Sequence, residues 1–142
     1  MKIALLAVAT SGFCHLKGPD GNFLYDEKTK EPIGIDLYSP GSPEAAELEG
    51  QQSARIIKRM QDNDNKVAHI PVEQRRVETA GDLTALTAGF HHIEYDGPDG
   101  QPLTGTALHT AVYSDPTLGW INVQAIKFVA DWGKFTPGSP TS

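Results

Sequence analysis

The sequence predicts an α+β fold, in which a small N-terminal antiparallel β-hairpin or meander has three to four helices packed on it. Three observations predict this class. Short apolar runs with strong turn signals fill residues 14–38. Two stretches with helical spacing follow, one after Ser42 and one after Pro71. The final stretch, residues 115–135, has the most apolar helical pattern and contains both tryptophans.

The chain length of 142 residues is typical of one domain. We expect residues 1–135 to form a single α+β domain. Residues 136–142 consist of Thr, Pro, Gly and Ser and are predicted to form a flexible tail. No apolar run is long enough to span a bilayer, so the sequence predicts no membrane partner.

The N-terminal elements follow from alternation and turn chemistry. Residues 2–9 are apolar and are predicted as a buried strand, because the run is short for a signal peptide and lacks a convincing cleavage site. Gly-Pro-Asp-Gly at residues 18–21 predicts a tight turn. Residues 33–38 alternate apolar and polar side chains, which indicates a half-buried strand.

Two helices are predicted in the middle of the chain. Ser42 is a good N-cap with Pro43 at the first helical position, and this helix should run to about Met60. A second helix should begin at Pro71. Its buried face is expected to consist of Val77, Leu83, Leu86 and Phe90.

The C-terminal third predicts a hairpin and two further helices. A second Gly-Pro-Asp-Gly turn at residues 97–100 should join two short extended segments. Thr104 or Thr106 should cap a short helix that ends near Tyr113. Asp115 and Pro116 are suited to begin a last, largely buried helix that continues to residue 135.

Residues that could carry chemistry are scattered. Cys14 is the single cysteine and is expected to be a small buried hydrophobe. The five histidines lack the spacing of a zinc site, and no phosphate-binding or nucleophile motif is present. The sequence therefore predicts no catalytic residue, no metal and no cofactor, and it favours a non-enzymatic protein.

Charge is unevenly distributed along this acidic chain. A net charge of −6 argues against a nucleic-acid partner, because binding phosphates requires clustered cations. Six basic residues lie between Arg55 and Arg76, whereas residues 77–126 contain none. The basic segment is interpreted as a solvated face, with steering of a partner as the alternative.

The order of elements and one segment resemble a known family. The segment is Ala-Val-Tyr-Ser-Asp-Pro-Thr-Leu-Gly-Trp-Ile at residues 111–121, and it is followed by Phe-Val-Ala-Asp-Trp-Gly-Lys-Phe at residues 128–135. Over residues 31–135 the chain resembles the tail assembly chaperones encoded in the tail-morphogenesis modules of tailed bacteriophages.

The resemblance implies a non-enzymatic assembly factor of the host cytoplasm that binds the tape-measure or tail-tube protein, with a homo-oligomer possible. Alternatives are a structural virion component, such as a tail-completion, neck or head-decoration subunit, and a small phage inhibitor of a host protein. The last helix could serve as core or as contact surface, and core is favoured. The residues predicted to bind a partner are Trp120, Trp132, Tyr113, Phe128, Arg55 and Arg59.

Overall fold

A computed structural model describes residues 1–66 and 69–136. They form an antiparallel sheet and four α-helices, which confirms the α+β class. The strands are β1 (Ser11–His15), β2 (Gly34–Tyr38) and β3 (Thr87–His91). The α-helices are α1 (Pro43–Asp62), α2 (Val72–Ala85), α3 (Gly105–Ser114) and α4 (Gly119–Val129), and 3-10 helices lie at Ile3–Leu6, Pro116–Leu118 and Trp132–Phe135.

The sheet has the order β1-β2-β3, with β2 in the centre and both pairings antiparallel. The predicted meander is present, because bridges join Lys17 to Phe23 and Tyr25 to Pro32 between the first two strands. The third strand was not predicted, since residues 86–90 were assigned to the second helix. That assignment is wrong.

Helix α2 ends earlier than predicted because the chain after Leu86 pairs with β2 as strand β3. The Thr87 hydroxyl donates to the Leu83 carbonyl at 2.7 Å, and the chain then leaves the helix to pair with β2. Phe90 therefore lies on a strand, and Val77 is exposed instead of buried.

The core lies between one face of the sheet and helices α2, α3 and α4. Strands contribute Cys14, Ile35 and Leu37, which share this face of the sheet. The helices contribute Ala80, Leu83, Leu108, Val112, Tyr113, Ile121, Ala125 and Phe128, and Leu16 and Phe135 complete the cluster.

The N-terminal segment differs from the prediction. Residues 2–9 contain a 3-10 helix, Ile3–Leu6, none of whose residues is buried, so the predicted buried strand is wrong. The segment attaches to the core edge through Val8, and the Ala9 N–H donates to the Phe135 carbonyl at 2.8 Å.

The single helix predicted over residues 115–135 is in fact three separate helices. Asp115 begins the 3-10 helix Pro116–Leu118 as predicted for a cap, and α4 starts only at Gly119. A third piece, Trp132–Phe135, is capped by Asp131, whose carboxylate accepts the Gly133 N–H at 3.0 Å. The predicted flexible tail falls mainly on residues 137–142, which lie outside the described residues.

Helix α1 is held to the rest of the fold mainly by polar contacts. The Ser42 hydroxyl accepts the Ala45 N–H at 3.1 Å, which confirms the predicted N-cap. Along α1, Leu48 is the one buried residue.

None of the helices among the described residues has the length and apolar character to cross a membrane.

Candidate functional site

The Asp115-Pro116 turn is fixed by hydrogen bonds to both carboxylate oxygens. One oxygen accepts the Thr117 N–H at 2.9 Å and the Thr117 hydroxyl at 2.7 Å. The other accepts the Tyr95 hydroxyl at 2.9 Å. These donors, the Thr117 hydroxyl first among them, lower the pKa of Asp115. The hydrogen bond between Tyr95 and Asp115 raises the pKa of the Tyr95 hydroxyl. The turn therefore joins the loop after β3 to the start of α4.

Tyr113 lies inside the core and anchors α3. Only 1% of its surface is exposed, and its hydroxyl is 2.7 Å from the Thr87 hydroxyl. Burial raises its pKa strongly, because the phenolate would lose its hydration. Tyr113 therefore joins α3 to strand β3 inside the core, and almost none of its surface is open to a partner.

Trp120 lines an apolar pocket of about 230 Å³, here called the Trp120 pocket. The pocket opens between the end of the sheet and the start of α4. Its walls include Leu16, Leu24, Ile93, Leu118, Trp120 and Ile121. A concave apolar surface of this size is suited to one apolar side chain of a partner.

A second depression of about 280 Å³ lies beside β1 and is here called the lysine groove. Three lysines line it, Lys17, Lys127 and Lys134, together with the aromatic rings of Phe23 and Phe128. The Lys17 ammonium lies 4.8 Å from the Phe23 ring centroid, a cation–π contact. Asp131 is the one acidic residue in the lining, so the groove is basic in an otherwise acidic chain.

Gln124 separates the two depressions. Its side-chain amide accepts the Lys17 N–H at 2.8 Å and donates to the Lys17 carbonyl at 2.7 Å. The same amide nitrogen donates to the Trp120 carbonyl at 3.1 Å. Because Leu16 lines the Trp120 pocket and Lys17 lines the lysine groove, this bridge marks their shared boundary.

The other predicted partner-binding residues are not brought together with Trp120. Phe128 is 5% exposed and belongs to the core, although its ring reaches the lysine groove. Trp132 is 56% exposed, and its ring would lie 3.3 Å from a Cβ on Gly41. Arg55 and Arg59 lie on α1 and form ion pairs with α2.

The ion pairs of α1 form a network with two acceptors. Glu78 accepts from both Arg55 and Arg59, and Asp82 accepts from Arg55 at 2.9 Å and from Gln52 at 3.0 Å. The two arginines therefore join helices in this conformation. Next to them, α1 exposes the apolar side chains Ile56, Ile57 and Met60.

Reactive chemistry has little support in the described part of the chain. Burial raises the pKa of the Cys14 thiol to about 11, so its thiolate is scarce at neutral pH. Over residues 1–66 and 69–136, no three His, Cys, Asp or Glu side chains are placed to hold a metal ion. His91 contacts Asp36, and His92 contacts Glu31, as separate exposed pairs.

Sequence reasoning missed the groove residues Lys17, Lys127, Lys134 and Gln124. The return of lysine after the base-free span of residues 77–126 was the available signal for two of them. Nothing local marks Gln124, whose partner Lys17 is 107 residues away.

Comparison with protein-family models, with curated proteins and with solved structures finds no match to this chain.

Proposed function

We propose that this protein is a non-enzymatic assembly chaperone of a tailed bacteriophage, which acts in the host cytoplasm and binds the tape-measure or tail-tube protein. The observation that carries the proposal is the position of the segment on which the family resemblance depends. Residues 111–121 include Tyr113 in the core, Asp115 in a fixed turn and Trp120 at the apolar pocket.

The geometry supports binding by contact. The Asp115 turn fixes the start of the segment that carries Trp120, and a preorganised tryptophan beside an apolar pocket is a frequent feature of interface hot spots. Exposed apolar side chains on α1, Ile56 and Ile57, add a second surface that a partner could cover. A chaperone needs surfaces of this type to shield apolar helices of its client.

The test is copurification from infected cells, combined with mass spectrometry of purified virions. We expect the tagged protein to copurify with the tape-measure or tail-tube protein and to be absent from virions. Stoichiometric copies in virions would overturn the chaperone proposal in favour of a structural subunit. Copurification with a host protein alone would overturn it in favour of an inhibitor.

Two matched variants localise the contact. Trp120→Ala should weaken binding of the client at least about tenfold, because it removes the one tryptophan ring among the side chains that line the pocket. Trp132→Ala removes the same side chain at an exposed position outside the pocket lining, so its effect should be smaller. Thermal unfolding of both variants checks that they fold, and equal binding by Trp120→Ala and the native chain would contradict the assignment of the pocket.

A further inference from the structure

The outer edge of β1 has main-chain groups that point away from the sheet. The Leu16 N–H donates to the Ile33 carbonyl at 3.0 Å, and the Ser39 N–H donates to the Thr10 carbonyl at 2.9 Å. In an antiparallel pair, hydrogen-bonded positions recur at every second residue. Even-numbered residues of β1 therefore bond to β2, whereas Ser11, Phe13 and His15 direct N–H and C=O groups outward.

Within the part of the chain that the structure describes, hydrogen bonds occupy this edge at its two ends. At one end the Ala9 N–H donates to the Phe135 carbonyl. At the other end the Gln124 amide makes two hydrogen bonds with the Lys17 main chain, as a peptide group of a neighbouring strand would. Among residues 1–66 and 69–136, no hydrogen-bond partner is found for the main chain of Phe13 or His15 on the outer side.

The space beside this edge is the lysine groove. Cys14 and His15 form its wall on the strand side, and Lys17, Lys127 and Lys134 supply its charge. Phe23 and Phe128 give it apolar surface. An extended segment placed along β1 would therefore meet the outward main-chain groups of Phe13 and His15, ammonium groups and aromatic rings together.

We propose that the β1 edge binds an extended, carboxylate-bearing segment of a partner protein, which adds as a fourth strand beside the lysine groove. This inference rests on the proposed function, since it assigns a binding mode to a protein that acts by contact. Main-chain hydrogen bonds would supply affinity, and alternate acidic side chains would pair with Lys17 and Lys127.

Charge complementarity selects this occupant over a second copy of the chain. Pairing of two β1 edges would bring the lysines of both copies together, and like charges across an interface oppose association. The lysines lie beside this edge, on the segment after β1 and on the C-terminal helices, so they attract an acidic strand and repel a basic one.

The direct test uses the full-length protein and the probe acetyl-Thr-Glu-Val-Glu-Val-Thr-amide, followed by NMR and amide hydrogen exchange. We expect slower exchange at the outward amides of Phe13 and His15 and unchanged exchange at the inward amide of Cys14. This alternation is specific for strand addition, because a ligand that only occupies the groove does not distinguish the two sets of amides. Uniform slowing, or none, would overturn the proposal.

Two control probes separate charge from main-chain pairing. A glutamine version should bind roughly tenfold more weakly at low salt, and a version N-methylated at its central Val and Glu should lose the slowed exchange. Equal binding of the glutamine version would overturn the acidic specificity. The same shifts with inorganic phosphate alone would reduce the groove to an anion site and overturn strand addition.

Matched variants of the protein complete the test. Lys127→Glu should weaken binding of the acidic probe about tenfold, whereas Lys28→Glu makes the same charge change at an exposed residue outside the groove and should leave binding unchanged. Slowing of Phe13 and His15 exchange with protein concentration alone would identify a second copy as the occupant and overturn the proposal.

The β1-edge proposal and the chaperone proposal can be overturned independently of each other. If the tape-measure or tail-tube protein copurifies equally with the native chain and with Lys127→Glu, the edge proposal is wrong and the chaperone function stands. If neither client copurifies and the probe still adds to β1, the chaperone function is wrong and the edge site stands.

Discussion

Two regions of the molecule are held together by different forces. One is the core between the sheet and helices α2, α3 and α4, and the other is the contact between α1 and α2. In the first region, strands and helices bury a continuous apolar cluster that includes Ile35, Leu37 and Tyr113. In the second, partly buried side chains join the two helices through the carboxylates of Glu78 and Asp82, while α1 leaves Ile56 and Ile57 exposed to solvent. The core region sets the fold, and α1 is attached in a way that leaves its apolar side chains available.

The largest expected difference in the free energy of unfolding is between two glycine-to-alanine substitutions, one in each region. A Cβ on Gly34 would lie 2.3 Å from the Cys14 carbonyl and 2.5 Å from the Phe13 ring, so Gly34→Ala should lower the free energy of unfolding by about 3 kcal/mol. Gly50→Ala on α1 meets nothing within 4 Å and should raise it by about 0.5–1 kcal/mol. Denaturant unfolding measures both, and equal effects would contradict the comparison.

A smaller effect is expected from a buried polar contact. Tyr113→Phe removes the hydroxyl that lies 2.7 Å from the Thr87 hydroxyl and should cost about 1 kcal/mol, with no dependence on salt. Tyr38→Phe is the matched control, because the Tyr38 hydroxyl has no hydrogen-bond partner among the described residues. A cost no larger than that of Tyr38→Phe would mean that the Tyr113 hydroxyl does not stabilise the fold.

The ion pair of α1 provides the counterpart outside the core. Arg55 and Asp82 are 2.9 Å apart, with side chains 30% and 21% exposed. A double-mutant cycle of Arg55→Ala and Asp82→Ala should give a coupling energy of about 0.5–1 kcal/mol that decreases as salt is raised. The Arg55–Asp82 ion pair, unlike the Tyr113 contact, should also control how fast the main-chain amides of α1 exchange with solvent.

The parallel cycle of Lys58→Ala and Asp62→Ala is its control. That pair lies on α1 alone, at 3.1 Å, and its side chains are 77% and 68% exposed. Its coupling should be close to zero, because exposed pairs within one helix gain little. A coupling equal to that of Arg55 and Asp82 would mean that the α1–α2 network adds nothing beyond surface pairing.

The predictable parts of this fold are those decided within a few residues. The Ser42 cap of α1 and the alternation of β2 could be read from the sequence because each depends on local geometry. Strand β3 could not, since an apolar run such as residues 86–90 fits a helix or a strand and pairing with β2 decides between them. Of the candidate site, Trp120 was predicted as a partner-binding residue, whereas the lysine groove depends on contacts between the two ends of the chain.

The smallest effect is expected at the Asp115 turn, and it should depend on pH. Its donors lower the pKa of Asp115 in the folded state. The stabilisation is therefore fully present above the unfolded pKa of about 3.9 and is lost as pH falls through the lower folded value. Asp115→Asn should be less stable than the native chain at pH 7, and this difference should shrink toward pH 3 in thermal unfolding.

Two further variants divide this effect between its donors. Tyr95→Phe removes the donor to one carboxylate oxygen, and Thr117→Ala removes a hydroxyl donor to the other. Each should reduce the pH dependence in part, with Thr117→Ala the larger because the Thr117 hydroxyl lowers the pKa most. A difference between Asp115→Asn and the native chain that is unchanged from pH 7 to pH 3 would mean that the ionised carboxylate does not stabilise the turn, and that Trp120 is positioned by packing alone.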